Sequence, residues 1–163
     1  MTTRLWALWR MEYLLEEKTD ECVFCLAAGN IPEKNSQFRV LAARTNEFTI
    51  LNKYPYSYAH ILVSPVRHVK SLEELSSSEA ESFFKLVVDS QTAIKKAISP
   101  EGINMGLNIG KAAGAGIDQH IHMHIVPRWT GDTNFMPVLN ECSILPGHLD
   151  NTYEQLLPHF NNI

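Results

Sequence analysis

The sequence predicts an α+β domain with a mainly antiparallel five-stranded sheet, one long helix and one short C-terminal helix. Three observations support this fold class. Short apolar runs separated by turn residues occupy residues 38–64, a helical repeat follows, and two further strand-like runs come after it. A hairpin, a long helix and a second strand pair are typical of α+β domains. The 163 residues are predicted to form a single domain, 1–163, with a core of its own.

The first three strands are indicated by β-rich runs with turn signals between them. Phe38–Ala43 and Phe48–Leu51 flank the polar turn Arg44–Glu47, which together predict a hairpin. His60–Ser64 is the third strand, and Pro65 ends it.

The long helix is predicted by its start, its periodicity and its end. Ser76 with Glu79, and Ser78 with Glu81, both have the spacing of a capping box. The apolar residues that follow recur at helical spacing until Pro100 stops the run.

The second half of the chain predicts two more strands and a last helix. Met105–Ile109 and His120–Val126 are the strands, and the glycine-rich loop Gly110–Gly116 lies between them. Asn151–Leu157 predicts the short terminal helix. At the other end, residues 1–20 form an aromatic-rich lead that we expect to pack on the domain or on a partner subunit.

The net charge, the apolar runs and the cysteine count limit the classes of function that we expect. The net charge of −4 gives no electrostatic reason to expect binding to nucleic acid or to an anionic membrane. No run approaches the roughly 20 apolar residues of a membrane span, and the start of the chain has no signal-peptide pattern. Three cysteines, two of them close together, favour a reducing compartment, and we expect the protein to be cytoplasmic.

Three histidines alternate along the last predicted strand, at positions 120, 122 and 124. Alternate side chains of a strand share a face, so the three imidazoles are predicted to point the same way, with Ile121 and Met123 in the core. The same pattern would also suit a polar strand face with satisfied histidines, or a metal site formed by three histidines.

These residues resemble the signature of the histidine-triad superfamily, in which three histidines alternate with apolar residues. The resemblance extends to the segments Ala59–Pro65 with Arg67 and His68, Leu107–Gly110, Ala113–Gly116 and Pro127–Met136. The last segment, and the opening Leu5–Tyr13, are similar to the branch that contains bacterial diadenosine tetraphosphate phosphorylases. The resemblance implies a nucleotide-binding homodimer whose two sheets join across the subunit interface, and no organic cofactor.

The family mechanism that the resemblance implies is covalent. His122 would attack the α-phosphorus and form a nucleotidyl-histidine, because a neutral imidazole with one nitrogen hydrogen-bonded keeps a lone pair on the other. His124 and His60 would donate hydrogen bonds to the phosphoryl oxygens. His120 would orient the strand.

The nucleotide-binding residues are also implied by the resemblance. Gly114, Ala115 and Gly116 would form a phosphate cradle of backbone N–H groups, since small residues let the backbone approach a ligand. Asn108 matches a position that contacts phosphate. Asn52 stands where relatives often carry an aspartate that binds the ribose hydroxyls.

One departure from the family concerns the second acceptor. Gly116 and Ile117 stand where hydrolase and phosphoramidase relatives commonly carry a glutamine and a serine or threonine. The smaller Gly116 leaves room for inorganic phosphate, which favours phosphorolysis of a dinucleoside polyphosphate. Hydrolysis of dinucleoside polyphosphates or of nucleoside phosphoramidates is the nearest alternative, and a nucleotide-binding sensor module is a third.

Cys22 and Cys25 have the spacing of a zinc knuckle, although buried apolar cysteines account for such a pair equally well. Family members with the same pair complete a metal site with two histidines, and this resemblance assigns His68 and His120 here. The prediction is a structural zinc bound by two cysteines and two histidines.

Overall fold

The computed structural model describes residues 21–29, 37–132, 147–161 and 163. The predicted packing of the lead, residues 1–20, lies outside the described residues. In chain order the elements are α1 (Val23–Gly29), β1 (Val40–Ala43), β2 (Glu47–Leu51), β3 (Ile61–Pro65), α2 (Ser77–Ile98), β4 (Gly102–Leu107), β5 (Met123–Arg128) and α3 (Leu149–Phe160). Single turns of 3₁₀ helix occur at Leu72–Glu74 and Lys111–Ala113. None of the helices described is long and apolar enough to cross a bilayer.

The five strands form one antiparallel sheet in the order β1-β2-β3-β5-β4. This arrangement confirms the predicted α+β class. β3 pairs with β5 across the long connection that contains α2, so that Leu62 lies opposite His124. The centre of the sheet therefore joins the segment after His60 to the histidine-rich strand.

The two faces of the sheet carry separate apolar clusters. The larger cluster packs α2 and α3 on one face, and it includes Ile61, Val63 and Ile125. The smaller cluster packs α1 on the other face, and it includes Phe24 and Leu62. Because neighbouring residues of a strand point to opposite faces, His124, which lies opposite Leu62, shares the face of α1.

The start of α2 confirms one of the two predicted capping boxes. Ser76 is the N-cap: its hydroxyl accepts the Glu79 N–H, and the Glu79 carboxylate accepts the Ser76 N–H. Ser78 lies inside the first turn, so the alternative pair Ser78/Glu81 does not cap the helix. α2 ends at Ile98, just before Pro100, as the sequence predicts, and Ser99 is its C-cap in a left-handed conformation.

All five strands differ from the predicted bounds at one or both ends: β1, β2 and β3 by one or two residues, with Pro65 inside β3, and β4 and β5 by up to three. β4 spans Gly102–Leu107 rather than Met105–Ile109, because Gly102 pairs with Arg128 at the far end of β5. β5 begins at Met123 rather than at His120. Residues 120–122 continue past β3, but side chains replace the regular ladder there: the Ser64 hydroxyl donates to the Ile121 carbonyl.

The last helix is longer than predicted. α3 runs from Leu149 to Phe160 and contains Pro158 in its final turn. Proline removes one backbone N–H. Helical structure nevertheless continues to Phe160, whose buried ring packs into the larger cluster.

Candidate active site and metal cluster

Five aromatic rings form a continuous row on the α1 face of the sheet. Phe24 lies 5.2 Å from the His120 ring and stacks on the His122 ring at 4.7 Å between centroids. His122 lies 4.9 Å from His124, which lies 5.1 Å from His60. The structure thus brings together all four histidines to which the resemblance assigned catalytic roles.

A backbone hydrogen bond determines which ring nitrogen of His122 carries the proton. Its Nδ1–H donates to the His120 carbonyl at 2.8 Å, within the same strand segment. The other nitrogen, Nε2, therefore carries the lone pair. The side chain is 7% exposed and Phe24 covers one ring face, so the ring is held in place while Nε2 remains an acceptor or a nucleophile.

His60 and His124 form a directional hydrogen-bonded pair. His60 Nδ1 accepts the Tyr56 backbone N–H at 3.0 Å and an Asn52 Nδ2–H at 3.2 Å. His60 therefore carries its proton on Nε2, which donates to His124 Nδ1 at 3.0 Å. It follows that the proton of His124 lies on Nε2. That buried atom has no hydrogen-bond partner among the described residues, which makes it a donor available to a ligand.

Burial keeps these imidazoles neutral. Desolvation, and then the nearby His124 and His122, lower the pKa of His60 to about 3. Desolvation, with a smaller effect from His122, lowers the pKa of His124 to about 4. The pKa of His122 is also lowered by burial, against the effect of its bond to the His120 carbonyl. At neutral pH the site therefore holds uncharged imidazoles, with a lone pair on His122 Nε2 and an N–H on His124 Nε2, whereas the single N–H of His60 donates to His124 rather than to a ligand.

The depressed pKa of His60 predicts acid sensitivity. The folded protein leaves His60 neutral, whereas the unfolded chain protonates it below about pH 6.5. The unfolded state thus binds more protons, and the free energy of unfolding falls as pH drops from about 6.5 towards 3. Urea titrations at pH 7 and pH 5 should show a smaller pH dependence in His60→Gln than in wild type.

His159 provides the control for that measurement. It is exposed on α3, far along the chain from the row of rings, and His159→Gln should keep the wild-type pH dependence. An unfolding free energy of His60→Gln that falls with pH as steeply as that of wild type would contradict the assignment of a buried neutral His60.

Cys22, Cys25, His68 and His120 form a compact cluster beside the row. One ligand atom from each lies within 4.8 Å of every other. The Cys22 sulfur is 3.3 Å from His120 Nδ1, and the Cys25 sulfur is 3.1 Å from His68 Nδ1. Distances of this size suit four ligands arranged around one tetrahedral cation.

The chemistry of the cluster also fits a cation. His120 Nε2–H donates to the Pro65 carbonyl at 2.9 Å, which leaves the lone pair on Nδ1, the nitrogen that faces the two sulfurs. Hydrogen bonds of this kind orient the histidine ligands of metals. Burial and the neighbouring Cys22 raise the pKa of the Cys25 thiol, a penalty on the thiolate that a bound cation would offset.

The metal cluster and the histidine row share structural elements. His120 contributes a ring to the cluster and its carbonyl to His122 Nδ1. Phe24 lies between Cys22 and Cys25 in sequence, and its ring packs against both His120 and His122. The position of α1 therefore affects the position of the His122 ring, because Phe24 of α1 stacks on it.

Comparison with known proteins identifies this arrangement. A HIT domain matches residues 33–131, which contain the row of histidines and the loop before it. The chain belongs to the HIT family. It is 35% identical over 155 residues to an AP-4-A phosphorylase from Mycobacterium tuberculosis, with 91% of this chain and 80% of the relative covered.

A second curated protein and a solved structure are also similar to this HIT protein. It is 33% identical over 108 residues to an adenosine 5′-monophosphoramidase from Schizosaccharomyces pombe, which covers 66% of this chain and 74% of the relative. A hypothetical histidine triad nucleotide-binding protein from Sulfolobus tokodaii superimposes with a TM-score of 0.68 at 27% identity. That match covers 86% of this chain and 93% of the solved one, and it confirms the HIT fold.

Two of the predicted nucleotide-binding residues of this HIT domain, Asn108 and Asn52, lie beside the row of rings. Asn108 lines a cleft together with His124. Asn52 is also in the site, but its Oδ1 accepts the Tyr54 N–H and its Nδ2 donates to Tyr54 O and to His60. Ribose binding by Asn52 stays a prediction.

The glycine-rich loop of the HIT domain, Gly110–Gly116, is largely exposed. Gly110 and Gly114 have φ values of 82° and 84°, which side chains rarely adopt. The N–H groups of Ala113 and Gly114 donate to carbonyls within the loop. Ala115 and Gly116 follow this turn, and neither is among the residues that line the cleft. Their role as a phosphate cradle stays a prediction.

Two aromatic residues of the site were missed by the sequence analysis. Phe24 stacks on His122 across 98 residues of chain, and Tyr56 stacks on His124 across 68. Local patterns carry no signal for such contacts. The only clues were an aromatic residue inside the Cys22–Cys25 pair and another four residues before His60.

Proposed function

We propose that this HIT protein is a nucleotidyl transferase that cleaves dinucleoside polyphosphates, with diadenosine tetraphosphate as the representative substrate and inorganic phosphate as the acceptor. The observation that carries the proposal is the tautomer of His122. Its Nδ1–H is bound to the His120 carbonyl, so the Nε2 lone pair is free to attack phosphorus. The 35% identity to an AP-4-A phosphorylase supports the substrate class.

The proposed reaction has two steps. His122 Nε2 attacks the α-phosphorus, the P–N bond forms, and the P–O bond to the polyphosphate breaks, which releases ATP from diadenosine tetraphosphate. An oxygen of inorganic phosphate then attacks the same phosphorus, the P–N bond breaks, and ADP leaves. The covalent intermediate divides one displacement into two, each with a well-placed partner.

His124 is proposed to stabilise the phosphoryl oxygens directly, and His60 to act through His124, because the single N–H of the neutral His60 ring already donates to His124 Nδ1. The buried His124 Nε2–H has no partner among the described residues, and His60 holds the tautomer that puts the proton there. A donor of fixed orientation stabilises the charge that develops on oxygen during transfer without reorganising. We assign Asn108 and the backbone of Gly114, Ala115 and Gly116 to the remaining phosphate oxygens, and Asn52 to the nucleoside side of the site.

The proposed metal is a structural zinc on Cys22, Cys25, His68 and His120. Zinc would supply no chemistry to the transfer, because all four ligands come from the protein and none of its positions is left for substrate. Its role would be to hold α1, and with it Phe24, against the sheet. Two neighbouring reduced cysteines fit a cytoplasmic enzyme.

A homodimer is proposed for the assembly. β4 is the outer strand of the described sheet beyond β5, and Met105 on it is 46% exposed. An unpaired strand edge is a ready template for a second copy of the chain. We propose that two copies join their sheets at this edge.

The acceptor is tested by product analysis with diadenosine tetraphosphate, with and without millimolar phosphate. Phosphate attack on an adenylyl-histidine yields ADP, whereas water attack yields AMP, so the product ratio reports the acceptor whatever step limits the rate. We expect ADP plus ATP and faster cleavage when phosphate is present. AMP plus ATP alone, in saturating phosphate, would overturn phosphorolysis in favour of hydrolysis.

The variant Gly116→Gln tests whether the size of residue 116 affects the choice between phosphate and water as acceptor. Among the described residues no atom lies within 4 Å of a Cβ built at Gly116, so a side chain can begin there without a clash. By restoring the bulk that hydrolytic relatives carry there, the variant should shift products from ADP towards AMP. Ile117 packs against the smaller cluster and is left unchanged. An unaltered ADP to AMP ratio would remove Gly116 from the acceptor site.

The second candidate is phosphoramidate hydrolysis through the same intermediate. The identity to an adenosine 5′-monophosphoramidase favours it, because that alignment spans 74% of the relative. Adenosine 5′-phosphoramidate distinguishes the two, since its leaving group is ammonia rather than a nucleotide. Faster turnover of the phosphoramidate than of diadenosine tetraphosphate would favour the second candidate.

A further inference from the structure

An open trough begins at His124 and runs away from the nucleophile. Tyr56, Asn104, Met105, Gly106, Asn108, His124 and Val126 line it. The register of β4 with β5 places Gly106 opposite His124 and Asn104 opposite Val126. Cross-strand partners share a face of the sheet, so these residues form the floor on the catalytic side. Gly106 has no side chain, and a Cβ there would meet no atom of the described residues within 4 Å, so this part of the chain leaves the floor beside His124 open.

Tyr56 forms the wall of this trough. Its ring lies almost parallel to the His124 ring, at 12° and 5.6 Å between centroids, and 4.8 Å from the His60 ring. Its backbone N–H donates to His60 Nδ1, which fixes the residue against the catalytic pair. The side chain is nevertheless 62% exposed. An aromatic ring with this exposure contributes little burial to folding, and it offers a face on which a planar ligand can stack.

The polar groups of the trough suit a heterocycle. Arg128 Nη1–H donates to Asn104 Oδ1 at 3.0 Å, which orients the amide and leaves its Nδ2–H groups as donors for a ring nitrogen or a carbonyl oxygen. Val126 adds an apolar floor. An aromatic face, an apolar floor and a few convergent amide groups are the usual components of a nucleobase site.

Phe24 indicates which half of the substrate lies there. It is 1% exposed and covers one face of the His122 ring, so it blocks access to His122 across that face. The open side is the one that leads past His124 to Tyr56. The polyphosphate chain that departs from the α-phosphorus would follow this path and bring its own nucleoside to the trough.

We propose that Tyr56, with Asn104, Gly106 and Val126, binds the nucleobase of the leaving nucleotide and so selects dinucleoside polyphosphates over substrates with a small leaving group. The inference rests on the proposed function and adds a specificity subsite to it. Tyr56 would act by stacking on the base, whereas His122 and His124 act on the phosphoryl group and His60 acts through His124.

The test compares two substrates that share the transferred group. Diadenosine tetraphosphate and adenosine 5′-tetraphosphate both yield adenylyl-His122, but only the first has a nucleobase on its leaving group. Stacking of a base on an aromatic side chain contributes about 1–3 kcal/mol, which corresponds to roughly 5-fold to 150-fold in kcat/KM. We expect Tyr56→Ala to lower the ratio of kcat/KM for the dinucleotide over the mononucleotide about 10-fold, and Tyr56→Phe to preserve it.

The ratio separates stacking from a merely supporting role. If Tyr56 only packs against His60 and His124, or binds the base of the transferred adenylyl group, Tyr56→Ala slows both substrates equally and the inference fails while the proposed function stands. Wild-type protein that cleaves neither substrate overturns both. Phe84→Ala is the matched control, since it removes a 46% exposed aromatic ring on α2, at the opposite face of the sheet, and should leave both rates unchanged.

Discussion

Replacement of His122 by alanine is expected to lower turnover of diadenosine tetraphosphate by several orders of magnitude, because the variant has no nucleophile for the first step. Nucleotide affinity should stay close to that of wild type, since the backbone and the other histidines proposed to bind the phosphates remain. Steady-state kinetics and equilibrium binding of a nucleotide measure the two effects separately. Residual turnover above about a tenth of wild type would assign the nucleophile elsewhere.

His124→Ala is the informative comparison for that variant. It removes the buried Nε2–H donor but leaves the His122 nucleophile and its bond to the His120 carbonyl intact. The loss of one preformed donor to a developing charge costs about 10²-fold to 10³-fold in kcat. The His122 variant should therefore be the slower of the two, and the reverse order would contradict the roles proposed for these rings.

The second large effect concerns stability. Protein purified without added metal is expected to contain about one zinc per chain, and Cys25→Ser should lose it. Without the metal, α1 and the buried Phe24 lose their attachment to His68 and His120. We expect the melting temperature to fall by about 10 °C, which corresponds to roughly 3 kcal/mol in a domain of this size.

A control and a second readout make the metal prediction specific. Cys142→Ser alters the remaining cysteine of the sequence, which is not among the proposed ligands, and should keep the zinc. Chelation of zinc from wild-type protein should reproduce the instability of Cys25→Ser. Metal-free wild-type protein with full stability would instead mean that Cys22 and Cys25 are buried apolar thiols.

Much of this site could be predicted from sequence because its residues are close together in the chain. Alternation alone indicates that His122 and His124 share a face and that Ile121 and Met123 lie in the core, and the structure confirms it. The Ser76 capping box could be predicted for the same reason, since both partners lie within one helical turn.

The rest depends on contacts between distant segments. The start of β5 at Met123 rather than His120 follows from the Ser64 hydroxyl, which donates to the Ile121 carbonyl across 57 residues. The tautomer of His120 depends on the Pro65 carbonyl, 55 residues away. Periodicity reports which face a residue occupies, but it carries no information on such side-chain bonds.

The most direct test of a nucleotidyl-His122 intermediate is mass spectrometry of the enzyme quenched in alkali during turnover of diadenosine tetraphosphate without phosphate. Alkali is chosen because a P–N bond to histidine hydrolyses readily in acid. We expect one adenylyl group per modified chain, located by peptide mapping on His122, and its disappearance when phosphate is added before the quench. An unmodified chain during active turnover, or an adenylyl group on His60, His120 or His124 instead, would contradict it.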